Sequence, residues 1–247
     1  MGQDLQIKLF ADGADLTGML EMYANHAIRG FTTNPTLMRK AGVDDYAAFA
    51  RTVLAAIPDR PISFGVLADD LETMETQARE IARWGGNVCV KIPVMNTQRV
   101  FTGPIIRRLS AAGVVVNVTA LLTLDQVRLV TECLSPATPA MVSVFAGRIA
   151  DTGRDPVPVM AAALDIMRAR PKAELIWASP REVLNVFQAD AIGCHIVTAT
   201  TDIIKKLSLR GKDLDQYTAE TVEMFHTDAS AAGYAIEVVR KSRVARA

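Results

Sequence analysis

Apolar residues along the chain gather into eight short runs, separated by longer stretches with a different rhythm. The runs are IKLFA (7–11), RGFT (29–32), ISFGV (62–66), NVCVKI (87–92), VVVNV (114–118), MVSVF (141–145), ELIWA (174–178) and HIVTA (195–199). They are rich in Val, Ile or Phe and too continuously apolar for strands with one solvated face. They therefore predict parallel strands covered on both sides. Between them, LETMETQAREIARWG (71–85) and TLDQVRLVTECL (123–134) repeat apolar residues at three- and four-residue spacing, the mark of a helix with one buried face. Asp70 and Thr123 stand where the N-caps of these helices belong, and the glycines at 85–86 read as a C-cap.

Strand and helix in alternation leave two α/β architectures, a closed (βα)8 TIM barrel or an open doubly wound sheet. An open sheet that binds nucleotides carries a glycine-rich loop after an early strand, and none is present. The barrel is therefore expected, and 247 residues suit one such domain of about 250 residues spanning 1–247. The pattern over 212–240 predicts one or two further helices in a C-terminal extension, 212–247. These would cover the barrel mouth or pack against a neighbouring subunit.

Composition narrows the partners. Hydrophobic residues make up 50% of the chain and aromatic ones only 6%, so the core is expected to be aliphatic. Lys+Arg and Asp+Glu both number 27, and this balance argues against general binding of nucleic acid or anionic membranes. Cys89, Cys133 and Cys194 form no CxxC pair and suit a reducing compartment. With no run of about 20 apolar residues and no signal-peptide pattern at the start, the expectation is a cytoplasmic protein.

Barrel chemistry collects at the C-terminal ends of the strands, so polar residues there carry the functional information. Asp12 follows strand one; Thr32, Thr33 and Asn34 follow strand two; Lys91 lies inside strand four. Asn117 and Thr119 end strand five, Ser143 and Arg148 belong to the end of strand six, and Ser179 and Arg181 follow strand seven. Six strands thus direct polar groups at one mouth. Lys91 sits in the apolar run VCVKIPV, where burial would lower its pKa from about 10.4 and favour the neutral nucleophile. Its other reading is a rim lysine paired with a carboxylate. Arg148 and Arg181 have the planar geometry that grips phosphate, with Ser143 and Ser179 as hydroxyl donors. Alternatively they hold loop carboxylates, Asp151 and Asp155 being the partners in view for Arg148. Asp12 either relays protons or orients a loop amide. Asp15 reads as a helix N-cap, and Asn34, fixed before Pro35, as turn chemistry that also sets an amide at the mouth. Metal chemistry is not expected, because His26 and His226 read as helical and His195 falls at the start of strand eight.

FADGAD, GFTTNPT, VKIPV, VNVTAL, VSVFAGRI and WASPREV, followed by IGCHIVTATTDIIKKL, resemble in this order the transaldolase and fructose-6-phosphate aldolase family over roughly residues 7–210. The resemblance implies class I aldolase chemistry without a cofactor, on sugar phosphates, in a homo-oligomer. Lys91 would form a Schiff base with a ketose phosphate and Asp12 would act as acid and base. Thr119 would hold the proton-relaying water, while Thr32, Asn34, Asn117 and Phe145 would line the substrate site. Ser143, Arg148, Ser179 and Arg181 would bind the phosphate. The chain departs from the family at Gly65, where Glu or Gln usually positions the catalytic water, so slow turnover or an unusual donor is expected. Phe145 stands where the family's hydrolysing aldolases tend to carry Tyr, which favours transfer over free cleavage. Three readings follow: a transaldolase-type transferase, a lyase acting on an anionic ketose without an acceptor, and a sugar-phosphate-binding barrel that has lost catalysis.

Overall fold

The eight runs become eight strands: β1 (Lys8–Asp12), β2 (Ile28–Thr32), β3 (Ile62–Gly65), β4 (Val88–Pro93), β5 (Val116–Leu121), β6 (Ala140–Val144), β7 (Ala173–Ala178) and β8 (Ile196–Ala199). The strands pair in parallel in chain order, and β8 closes on β1, so the sheet is the expected (βα)8 barrel. The computed structural model describes residues 5–237. The chain divides into two compact units, Met1–Leu207 and Ser208–Ala247.

In the first unit the strands alternate with α1 (Leu16–Ala24), α2 (Pro35–Lys40), α3 (Tyr46–Ala56), α4 (Leu71–Ile81), α5 (Gly103–Ala111), α6 (Leu124–Cys133), α7 (Ala146–Ala150), α8 (Pro156–Met167), α9 (Val183–Ala191) and α10 (Thr201–Lys206). Asp15 and Asp70 accept from the backbone N–H groups of Gly18 and Thr73, and Thr123 forms a reciprocal capping box with Gln126. The glycines at 85–86 do not cap a helix. α4 ends at Ile81, and the turn that follows carries Trp84 into edge-to-face contact with Phe64 and Tyr46.

Side chains alternate across each strand, and the two faces meet different cores. Val88, Val90 and Ile92 belong to the large aliphatic cluster between strands and helices. Cys89 faces the barrel interior with Phe10, Met141, Ile176, Ala178 and Ile196. Phe10 needs Gly30 across from it, since a Cβ there would lie 2.5 Å from its ring. Two residues beyond five of the inward-facing positions the chain reaches a polar residue at the mouth: Phe10 leads to Asp12, Gly30 to Thr32, Cys89 to Lys91, Met141 to Ser143 and Ile196 to Thr198. The same period that fills the interior therefore delivers the polar layer above it.

The second unit contains α11 (Leu214–Ala231), capped by Asp213 and with none of its residues buried. Leu214, Val222, Met224 and Phe225 are all exposed on it. The expected extension is a single helix within the described residues, and its predicted continuation past 237 lies outside them.

Candidate active site

Lys91 projects from the middle of β4, beside Gly65 of β3 and Asn117 of β5 in the strand register. Its ammonium donates to the Thr33 carbonyl at 3.0 Å, and Thr33 is fixed in turn by its own hydroxyl donating to Ser63 O at 2.8 Å. Burial of the amine among the strand ends lowers the Lys91 pKa, and the negative charge of Asp12 pulls it partly back. The rim reading, a lysine paired directly with a carboxylate, is not what is found: the amine donates to a backbone carbonyl.

Asp12 sits at the end of β1, in register with Thr32. Burial raises its pKa, while Lys91, then Thr32 and Asn34, favour the carboxylate. Thr32 donates to Asp12 Oδ1 at 2.7 Å and lies 2.6 Å from the Thr198 hydroxyl. Because Thr32 has one hydroxyl proton and gives it to the carboxylate, Thr198 is the donor in the second contact. Asn34 caps α2 by accepting from Leu37 N–H at 3.0 Å, which turns its amide nitrogen towards Asp12 Oδ2, 3.4 Å away. Both expected roles of Asn34, the turn and the amide at the mouth, are realised by one side chain.

A second chain of hydrogen bonds crosses from β3 to β6. Asn117 donates to Ser63 Oγ at 3.0 Å and accepts from Ser143 Oγ at 2.7 Å, and all three residues are buried. Ser143 is therefore tied to Asn117, the neighbour of Lys91 in the register, and its hydroxyl proton is not directed at the arginines. Thr119 lies in the irregular stretch of β5 where the register with β6 shifts and Ala120 takes a φ of 66°. A bulge of this kind re-aims a side chain. The Thr119 hydroxyl is buried with no protein partner, one of two such atoms among the described residues.

The arginines follow β6 and β7. Arg148 in α7 lies over the Phe145 ring, 5.6 Å from its centre, and is exposed. Arg181 pairs with Asp151 through Nε at 2.9 Å and through Nη2, and the pair holds the Asp151 carboxyl below its usual range. This changes the alternative pairing of Arg148 with Asp151 or Asp155: Asp151 belongs to Arg181, and Asp155 caps α8 by accepting from Val157 N–H. The two loops are locked at Gly147, where a Cβ would fall within bonding distance of the Ser179 carbonyl. Ser179 itself adopts a φ of 58°. Such a conformation in a residue with a side chain stores strain of about 1–3 kcal/mol, held here by that backbone contact.

The mouth thus holds a desolvated lysine, a half-buried carboxylate in contact with hydroxyl and amide donors, and two arginines at the rim. Sequence reasoning missed Ser63, Thr198 and the Thr33 carbonyl. Ser63 and Thr198 were visible as hydroxyl residues inside apolar strands, on the inward face that period two assigns them. His195 Nδ1 accepts from Leu175 N–H at the start of β8. Among the described residues no group of three or more His, Cys, Asp or Glu is arranged to hold a metal ion.

A family model described as transaldolase/fructose-6-phosphate aldolase matches residues 9–240. A probable transaldolase of Methanococcus maripaludis (strain C7) is 32% identical over 202 residues, covering 81% of this chain and 89% of the relative. A probable transaldolase of Rhodospirillum centenum is 32% identical over 222 residues, covering 87% and 90%. Among solved structures, a native KDPGal structure superposes with a TM-score of 0.55 at 12% identity, covering 94% of this chain and 98% of the other. At that identity it speaks for the fold alone. A half-buried lysine at the mouth of a (βα)8 barrel and a family match over nearly the whole described chain agree: the chain belongs to the transaldolase/fructose-6-phosphate aldolase family.

Proposed function

We propose that the protein transfers a dihydroxyacetone unit from a ketose phosphate to an aldose acceptor through a Schiff base on Lys91. The observation that carries this reading is the Lys91 amine, desolvated at the mouth, with the Asp12 carboxyl as the charged group that opposes the effect of burial. The neutral amine attacks the ketose C2 carbonyl and water leaves, forming the iminium. Asp12 takes the C4 hydroxyl proton, the C3–C4 bond breaks, and its electron pair neutralises the iminium as an enamine while the aldose departs. The enamine then adds to the carbonyl of an incoming aldose, Asp12 returns the proton, and water releases the new ketose. The protein keeps donor and acceptor in succession at one lysine, where proximity contributes most.

Thr119 offers its unpartnered hydroxyl to the water consumed and released in these steps. Asn117 and Ser143, tied to each other beside Lys91, are suited to the hydroxyl groups of the three-carbon unit. Arg148, Ser179 and Arg181 would bind the phosphate, with Arg181 exchanging Asp151 for the anion. Phe145 would hold Arg148 over its ring, and Thr32 and Asn34 would set the state of Asp12.

A second reading, cleavage without an acceptor, is favoured by Gly65, which lacks the water-positioning side chain usual in the family. Incubation with fructose 6-phosphate in the presence and absence of erythrose 4-phosphate separates the two. Transfer predicts sedoheptulose 7-phosphate formation and negligible free dihydroxyacetone; steady release of dihydroxyacetone without an acceptor would replace transfer by the lyase reading. Self-association is proposed as well, since the exposed Leu214, Val222, Met224 and Phe225 of α11 give that helix an apolar surface. A sedimentation mass equal to one chain would exclude it. No described helix is long and apolar enough to cross a membrane, and a cytoplasmic location without nucleic-acid partners remains part of the proposal.

A further inference from the structure

Glycines inside the barrel elements answer to packing at four places, one of them Gly18, where a Cβ would lie 2.9 Å from Asp15 Oδ2. A Cβ at Gly30 would strike the Phe10 ring, one at Gly103 the Phe101 ring, and one at Gly147 the Ser179 carbonyl. Gly65 answers to no such constraint. It lies within β3, its φ is outside the left-handed region, and a Cβ there would have a single heavy atom within 4 Å, the Lys91 carbonyl at 3.9 Å. A strand glycine forfeits backbone entropy and side-chain packing, and here nothing in the fold repays that loss. The return is to be sought in the site.

Gly65 is two residues beyond the inward-facing Ser63 and in register with Lys91, and a Cβ there would meet no side chain within 4 Å. The Lys91 side chain spans from β4 to the Thr33 carbonyl just past β2, with β3 and Gly65 between. The arginines follow β6 and β7, on the far side of Lys91 from β3. A ketose anchored there by its anion would present the opposite arm of its carbonyl to Gly65.

We infer that Gly65 forms a donor subsite, in which the space beside Lys91 admits an uncharged ketone arm larger than a hydroxymethyl group. The inference rests on Schiff-base formation at Lys91, and it extends the donor class from dihydroxyacetone units to chain-extended α-hydroxy ketones. The backbone accepts a side chain at this position, because Gly65 O is held by the Tyr46 hydroxyl at 2.9 Å and that bond does not involve a Cβ.

The test is borohydride trapping followed by intact mass, with dihydroxyacetone, 1-hydroxy-2-butanone and 1-hydroxy-2-pentanone as donors and Lys91→Met as the blank. The native protein is expected to trap all three. Gly65→Val should lower pentanone trapping at least about tenfold more than dihydroxyacetone trapping, as one or two displaced methylenes do in a confined pocket. Gly65→Ala, the smaller change, should give an intermediate ratio. Native protein that traps dihydroxyacetone but neither longer ketone would overturn the subsite, and so would a Gly65→Val effect equal for all donors. Native protein that traps no donor would remove the Lys91 reading itself, a result distinct from both.

Discussion

Replacing Thr32 by Val exchanges a hydroxyl for a methyl of nearly the same volume, at a fully packed position 2.7 Å from Asp12 Oδ1. The carboxylate loses one donor and the acid form loses nothing comparable, so the Asp12 pKa must rise above a value that burial has already raised. A hydrogen bond to a charged group is worth about 1.5–3 kcal/mol, and 1.36 kcal/mol corresponds to one pKa unit. Asp12 keeps part of its surface open to solvent at the mouth, so the lower end applies, about one unit. If cleavage needs Asp12 as the base, the acidic limb of kcat/KM moves up by about one pH unit, while the plateau at higher pH falls less. Asp12 and Lys91 titrate as a pair, so the limb reports the pair rather than either group. For stability the sign is fixed by the raised carboxyl: the native state binds a proton that the unfolded state has released. Native stability therefore declines as pH rises from the unfolded value towards the folded one, and Thr32→Val widens that window upwards. Initial rates from about pH 5 to 9 on native and variant protein decide the matter. An acidic limb that stays in place, or moves down, would refute Asp12 as the base.

Other changes test the remaining contacts. Thr198→Val should shift the same limb upwards by less than Thr32→Val, because Thr198 acts through Thr32, and Thr198→Ser should restore the native profile. Ser63→Ala leaves the buried Asn117 amide without its acceptor, which should lower unfolding stability by about 1–3 kcal/mol in a denaturant titration; an unchanged midpoint would contradict the buried chain. Gly147→Ala forces the loops after β6 and β7 apart. It should raise KM for phosphorylated substrates about tenfold or more while trapping of unphosphorylated dihydroxyacetone changes less, and equal effects on both would separate the arginines from phosphate binding.

The barrel was legible because a buried parallel strand announces itself by continuous apolar residues, and all eight runs lie within a few positions of the observed strands. Period two then carried Lys91, Asn117 and Ser143 to the inward face. What sequence could not supply is which neighbour a polar group finds across the barrel. Ser143 was expected among the phosphate ligands and instead donates to Asn117, since β5 and β6 are adjacent and both side chains are buried. Asp151, a candidate partner of Arg148 in the alternative reading of the arginines, pairs with Arg181, and at Gly147 two backbone segments far apart in the chain touch. The glycines at 85–86 looked like a C-cap, yet α4 ends earlier so that Trp84 can pack on Phe64.

The account turns on covalent chemistry at one amine. Native protein and Lys91→Met should be incubated with fructose 6-phosphate, reduced with borohydride, and weighed intact. The account predicts a single reduced three-carbon adduct on the native protein and none on the variant. An adduct of equal yield on Lys91→Met, or no adduct on the native protein with fructose 6-phosphate or free dihydroxyacetone, would contradict it.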